Sequence, residues 1–183
     1  MNKSAEFSTN IAIIEAESDR GAILVAAAMI DTALELALKS RLVESNRKDD
    51  SLFSGAHAPA GSLSAKIDLA HRTGVIHEGF AAMLHKFRKI RNDCAHSVAP
   101  QLFSDPSIAK KVKSLHEMNP GLYEWISGQP IAELKTRNLG PAGEAIILRL
   151  EFNLYFAYVA MKLRELAIKI DRISLHTNSK DLE

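Results

Sequence analysis

The stretch Lys89 to Ser97, "KIRNDCAHS", places an arginine, an asparagine, an aspartate, a cysteine and a histidine within six positions. An imidazole gives or takes a proton near neutral pH. A guanidinium presents a fixed fork of donors to a phosphate whose charge grows in a transition state. Arg91 and His96 are therefore the residue types that metal-free RNA cleavage needs: His96 as general acid and base, Arg91 stabilising the phosphorane. The RNA's own 2′-hydroxyl serves as nucleophile, and Asn92 orients the imidazole or holds a phosphate oxygen. Helix geometry sets a condition on this reading. Residues turn by about 100° each, so Asn92 and His96 share a face with Arg88 one turn earlier, and Arg91 points roughly 140° away from His96. The pair converges if the helix ends near Ala95, if the long Arg91 side chain reaches round, or if the groups meet across a subunit boundary. The competing reading is structural: a histidine in the last turn of a helix interacts well with the negative end of the dipole, and so short a motif also arises by chance.

Composition narrows the function classes. The chain has 183 residues, 46% hydrophobic and 25% charged, which suits one soluble globular domain with a real core. Lys plus Arg (23) nearly cancel Asp plus Glu (22), which excludes an indiscriminately basic nucleic-acid binder, so any contact with RNA or DNA must come from a local patch. Cys94 is the single cysteine, so no intrachain disulfide forms. "MNKSAEFSTN" lacks the apolar core of a signal peptide, and the apolar run from Ile23 to Met29, bounded by Arg20 and Asp31, is too short to span a bilayer. A cytoplasmic protein without membrane contact is the expectation.

The other charged groups fall into two sets. "EAESDRG" interrupts two apolar runs with Glu15, Glu17, Asp19 and Arg20. One reading is a solvated face with a Glu17–Arg20 pair, or a helix break capped by Ser18. The other sets these charges against the basic "KFRKIR", so that Asp19, Arg20, Lys86, Arg88 and Lys89 line a polar cleft that binds a partner or nucleic acid. Cys94 and His96, two apart, point to different sides of a helix and make an improbable nucleophile pair; a buried small thiol is the expected role for Cys94. The seven histidines show no metal-ligand spacing, and "GAHAPAG" lacks the Lys-Ser/Thr and preceding strand of a phosphate loop, so neither metal nor cofactor is expected. Lys110, Lys111 and Lys113 read as a solvated helix face.

The elements that must position these residues are helices, because no period-two pattern occurs and the apolar spacing is three and four. The expectation is an all-α multi-helix bundle over 1–183. One long helix, or two abutting ones, starts near Ile11 behind Ser8-Thr9-Asn10, with the kink expected at Gly21. A loop covers 46–62, and a short helix capped by Ser62 or Ser64 runs to Arg72 and ends at Gly74. A helix over 77–96 buries Phe80, Met83, Leu84, Phe87 and Ile90. A short helix follows near 107–118, then an irregular flap over 118–142, a long apolar helix from about Gly143 to Ile173, and a flexible tail over 176–183.

Two resemblances add to this reading. "ESDRGAILVAAAMID" (17–31), "LFSGAHAPAGSLSAKIDLAHRTGVI" (52–76) and "KIRNDCAH" (89–96) together resemble the mannitol operon repressor (MltR) family over roughly the first hundred residues. That resemblance implies a transcription regulator, direct or indirect; no compact helix-turn-helix with a basic recognition helix is present. "RNDCAH" also resembles the Arg-Asn-x-x-x-His signature of HEPN domains, all-α dimeric modules that include ribonucleases of toxin–antitoxin and phage-defence systems. In that resemblance Arg91, Asn92 and His96 are the catalytic positions, and an antitoxin is the implied protein partner. Two function classes therefore stand side by side: an MltR-type regulator acting through nucleic acid or protein partners, and a metal-independent ribonuclease. A homodimer is expected under either, because the last helix is apolar on several faces and carries Tyr155 and Tyr158, of a residue type enriched at interfaces.

Overall fold

The computed structural model describes residues 3–47, 49–100, 102–128, 131–137 and 139–174. Among them are eight helices and no strand: α1 (Lys3–Glu15), α2 (Asp19–Arg41), α3 (Leu63–Arg72), α4 (Glu78–His96), α5 (Pro106–His116), α6 (Pro120–Ser127), α7 (Ile131–Lys135) and α8 (Gly140–Lys169). The all-α expectation is met. The expected tail over 176–183 lies outside the described residues.

Of the two forms expected for the first segment, one long helix or two abutting ones, the second is observed. α1 starts at Lys3, and Ser8, Thr9 and Asn10 lie inside it: Asn10 is buried and its Nδ2 donates to the Ala157 carbonyl at 3.2 Å. The break falls at 16–18, not at Gly21. Ser18 accepts a hydrogen bond from the Gly21 N–H at 3.1 Å and so caps α2, with Asp19 favourably placed in the first turn. Gly21 still matters, because a Cβ there would lie 2.5 Å from Glu17 Oε2 and 3.1 Å from Ser18 Oγ. α3 is capped as expected, by Ser62 on the Ala65 N–H, and Gly74 after it adopts φ 72°. The stretch 118–142, expected to be irregular, carries α6, capped by Asn119 on the Leu122 N–H, and α7. Each is a turn or two long, too short for a periodic pattern to show. α8 begins at Gly140 and ends at Lys169, somewhat earlier than expected at both ends.

The core sits between α2 and α8. Buried Ala22, Ala26, Ala33 and Ala37 alternate with Ile23, Ile30, Leu34 and Leu38 along one face of α2, and small residues let the two helices approach closely. α2 is long and apolar enough to cross a membrane by length and composition, but this face is packed inside the bundle. α8 also borders α1, α5, α6 and α7. The surplus of apolar faces read as a sign of dimerisation is thus covered mostly by the chain itself, and Tyr155 is fully buried. α4 borders α2, α3 and α5, and Phe87 bridges from it to stack on Phe156 of α8 at 4.0 Å, while Phe103 meets Phe152 edge-on at 5.1 Å. Lys66 of α3, 3% exposed, reaches Asp31 and Glu35 of α2 at 2.7 and 2.8 Å.

His116 closes α5 in an unusual setting. It is 3% exposed, stacked on Tyr123 at 4.8 Å and tilted against Tyr155 at 5.2 Å, and neither ring nitrogen has a hydrogen-bond partner. Burial, and the Lys135 charge second, push its pKa down to about 4; burial pushes the Tyr155 hydroxyl up to about 12. Between about pH 6.5 and 4 the unfolded chain therefore binds a proton at His116 that the folded one excludes. Stability from this group is complete above pH 6.5 and falls by about 1.4 kcal/mol per unit below it, roughly 3 kcal/mol by pH 4. Urea unfolding at pH 4.5, 5.5 and 7 should show a shallower acid loss in His116→Phe than in the parent, with little difference between them in pH slope above 7.

Candidate functional site

The residues singled out in the sequence gather around the C-terminal half of α4, but not as one cluster. His96 is the last residue of α4 and is exposed; Ser97 caps the helix through its N–H to the Asp93 carbonyl at 3.1 Å. Arg91 is half-buried and donates from Nη1 to Asn92 Oδ1 at 2.9 Å. Asn92 thus orients the guanidinium and not the imidazole, and no described hydrogen bond joins either residue to His96. α4 runs as helix through His96, so the roughly 140° between Arg91 and His96 stands within one chain. Cys94 is fully buried, and burial raises its thiol pKa, in keeping with a packing role.

Arg20 joins this region from α2. Its Nη2 donates to the Ala95 carbonyl at 2.8 Å, one of the last carbonyls of α4, which otherwise has no intrahelical donor. A cation at that end also suits the helix dipole. Lys86 lies on the other flank of α4 and reaches the Ser114 carbonyl of α5 at 3.2 Å, next to the Lys111–Asp93 ion pair at 2.6 Å. Arg88 is half-buried, its Nε buried without an acceptor, and Lys89 is exposed. Among the described residues, Arg20, Lys86, Arg88, Lys89 and Arg91 form no ion pair with any carboxylate. Arg20, Arg88 and Arg91 share one flank of α4 and make a cationic face there, while Lys86 lies on the opposite flank.

Asp19 is not part of it. Its Oδ1 takes Arg149 Nη1 at 3.0 Å and its Oδ2 takes the Phe103 N–H at 2.9 Å. Arg149 spends its other donors as fully: Nη2 on the carbonyls of Ile14 and Glu17, each at 2.9 Å, and Nε on Asn153 Oδ1 at 2.9 Å, while its guanidinium carbon lies 5.4 Å from the centre of the Phe103 ring. Burial lowers the pKa of this group and the Asp19 charge opposes that fall; an arginine stays protonated throughout. The acceptors of Arg149 are the end of α1, the joint that follows and the start of α2. The turn before α5 joins them through its Phe103 N–H on Asp19 and the Phe103 ring against the guanidinium, so one side chain ties three segments to α8.

A second polar cluster surrounds Glu151 of α8, 4% exposed, which is paired with Lys135 of α7 and accepts from the Tyr123 hydroxyl of α6 at 3.2 Å. Burial works against the Lys135 charge, yet its hydrogen bonds to Glu151 and Tyr123 hold its pKa above the usual value. Sequence reasoning named neither Arg149 nor Glu151. The available signal was a lone Arg and a lone Glu inside the apolar run "IILRLEF", where a charge needs a partner. Among the surface clefts of the described residues, five of about 290 to 610 Å³ have none of Arg91, Asn92 and His96 in their lining. No group of three His, Cys, Asp or Glu side chains among the described residues is arranged to hold a metal ion.

No family model and no curated relative matches the chain. Among solved structures, it is similar to the chain in the X-ray structure of the MtlR–HPr complex from Escherichia coli, at 18% identity and a TM-score of 0.63, over 87% of this chain and 99% of that one. The class defined by this likeness is that of MtlR-like all-α folds. The fold implied by the MltR resemblance is the one observed; the likeness carries no support for the HEPN motif.

Arg149→Ala leaves the Asp19 carboxylate with the Phe103 N–H but no cation, and removes the links from α8 to the Ile14 and Glu17 carbonyls. It should lower stability by about 2–3 kcal/mol, read as a drop in urea midpoint at unchanged slope. Lys at 149 should recover only part of that, because it cannot reproduce the planar fork.

Proposed function

We propose that the protein is a cytoplasmic regulator of the MltR type that acts by binding another protein, with the cationic face of α4 and Arg20 as its docking surface. One observation carries the reading: Arg20, Arg88 and Arg91 gather on one flank of α4 with no carboxylate partner among the described residues, in a chain whose net charge is only +1. Such a face favours an acidic partner, speeding encounter and setting orientation. The similar MtlR chain is in complex with the protein HPr, which supports a protein over a nucleic acid as the partner class. Near-neutral overall charge and the split of Lys86 from Arg88 and Arg91 onto opposite flanks of α4 also weigh against a phosphate-tracking surface.

The test is calorimetric titration with HPr. The parent should bind, more weakly as salt rises, and Arg88→Ala/Arg91→Ala should bind about tenfold more weakly with unchanged circular dichroism. No binding by the parent overturns HPr-type partnership; equal binding by the double variant overturns the surface assignment alone.

The ribonuclease reading needs Arg91 and His96 at one phosphate. Within one chain Arg91 is engaged with Asn92, so a second copy would have to supply His96. Purified protein incubated with RNA in EDTA should leave it intact. Cleavage that His96→Ala abolishes would replace the regulator by the enzyme.

A further inference from the structure

Two of the surface clefts abut along α8. One, about 480 Å³, is lined by Glu15, Glu17, Leu102, Ile146, Arg149 and Leu150, among others; its neighbour, about 290 Å³, by Phe7, Ile11, Ile131, Leu134, Leu150 and Leu154. Both are also lined by Glu15, Leu150 and Asn153, so they form one groove. Its floor is the stripe Ile146–Leu150–Leu154, spaced by four and about 12 Å long at 1.5 Å per residue. The chain leaves this stripe partly open: Ile146 is 61% exposed, Leu150 and Leu154 are half-buried, and Leu102 beside Ile146 is 47% exposed.

The groove has a sign. Glu15 and Glu17 stand exposed on its rim and form no ion pair among the described residues, and Glu15 also ends α1, where the helix dipole is negative. The one cation in the lining, Arg149, spends its hydrogen bonds on Asp19, Asn153 and two carbonyls, so it offsets Glu15 and Glu17 only through space and leaves their oxygens open to a partner. We infer that this groove docks an amphipathic helix with basic flanks from a partner protein, its apolar residues at i, i+4 and i+8 meeting Ile146, Leu150 and Leu154 and its Lys or Arg side chains meeting Glu15 and Glu17. The helix-in-groove mode needs this combination of an apolar floor with three anchors and a charged rim. A second copy of the chain fits less well, because a two-fold contact sets the same patch against itself and brings four carboxylates together. The site is separate from the cationic face proposed above: Asp19 belongs to the groove and Arg20, its neighbour, to α4.

The probe is a fluorescein-labelled peptide of about four helical turns, Leu at i, i+4 and i+8 with flanking Lys, set beside a scrambled peptide of equal composition. Anisotropy at physiological salt should show saturable binding of the ordered peptide, about tenfold weaker for the scramble and for Ile146→Asp, and clearly weaker for Glu15→Gln/Glu17→Gln. Ile146 is on the surface, so its substitution leaves the fold intact, and Arg88→Ala/Arg91→Ala should bind the peptide as the parent does. Equal binding of ordered and scrambled peptides, or indifference to Ile146→Asp, overturns the inference. So does a solution mass of twice 20.1 kDa that Ile146→Asp halves, which would assign the groove to a second copy.

Discussion

A charged residue in the middle of an apolar helix constrains everything near it. α8 is the long central helix, and Arg149 points from it toward a place where two helices fail to join. Leaving a guanidinium there without partners would cost several kcal/mol. The fold supplies them by ending α1 so that the carbonyls of Ile14 and Glu17 face it, starting α2 so that Asp19 faces it, and bringing Phe103 across to donate to the other oxygen of Asp19. The broken helix is therefore not a local weakness at Gly21. It is the shape that satisfies Arg149, with Ser18 and Gly21 making the restart tight enough to do so.

That clamp determines what Asp19 and Arg20 can be. Successive residues on a helix diverge by about 100°, and with Asp19 held to α8, Arg20 must face α4, where it takes the Ala95 carbonyl. Two adjacent residues of opposite charge are thereby committed to different surfaces. The α4 flank keeps Arg20, Arg88 and Arg91 without carboxylate partners, and the α8 side keeps Glu15 and Glu17 exposed, out of any ion pair among the described residues and near the enclosed charge of Arg149. A chain of net charge +1 is thus polar in its layout although nearly neutral in its total.

How much of this the sequence disclosed follows the same physics. α3 and α4 were legible almost to the residue, because their apolar spacing, the Ser62 cap and the Gly74 stop all agree. α6 and α7 were not, being too short for periodicity to show. α1 was misplaced because Ser8, Thr9 and Asn10 look like caps, whereas Asn10 is buried by a contact to Ala157, 147 positions away. The site divided in the same manner. Arg91, Asn92 and His96 share one segment and so stand out as a motif, whereas the place of Asp19 was misjudged because its partner, Arg149, is 130 residues distant. Local pattern reports which groups carry charge, and tertiary packing decides which of them cancel.

Cancellation is what separates surface from scaffold here. Lys66, Arg149 and Lys135 are the cations most deeply enclosed by carboxylates, and each ties one helix to another, so their charges are invisible from outside. Arg20, Arg88, Lys89 and Arg91 hold only neutral acceptors or none, so their charges persist into solvent. An uncancelled charge acts over about a Debye length, roughly 8 Å at physiological salt, far enough for neighbours on one helix to act together on an approaching partner. The same reasoning applies with opposite sign at Glu15 and Glu17. Since both surfaces meet at the joint that Arg149 holds, displacing Asp19 from that clamp would disturb the start of α2 and the grip of Arg20 on α4 together, which gives the two faces a physical route of communication only one residue long.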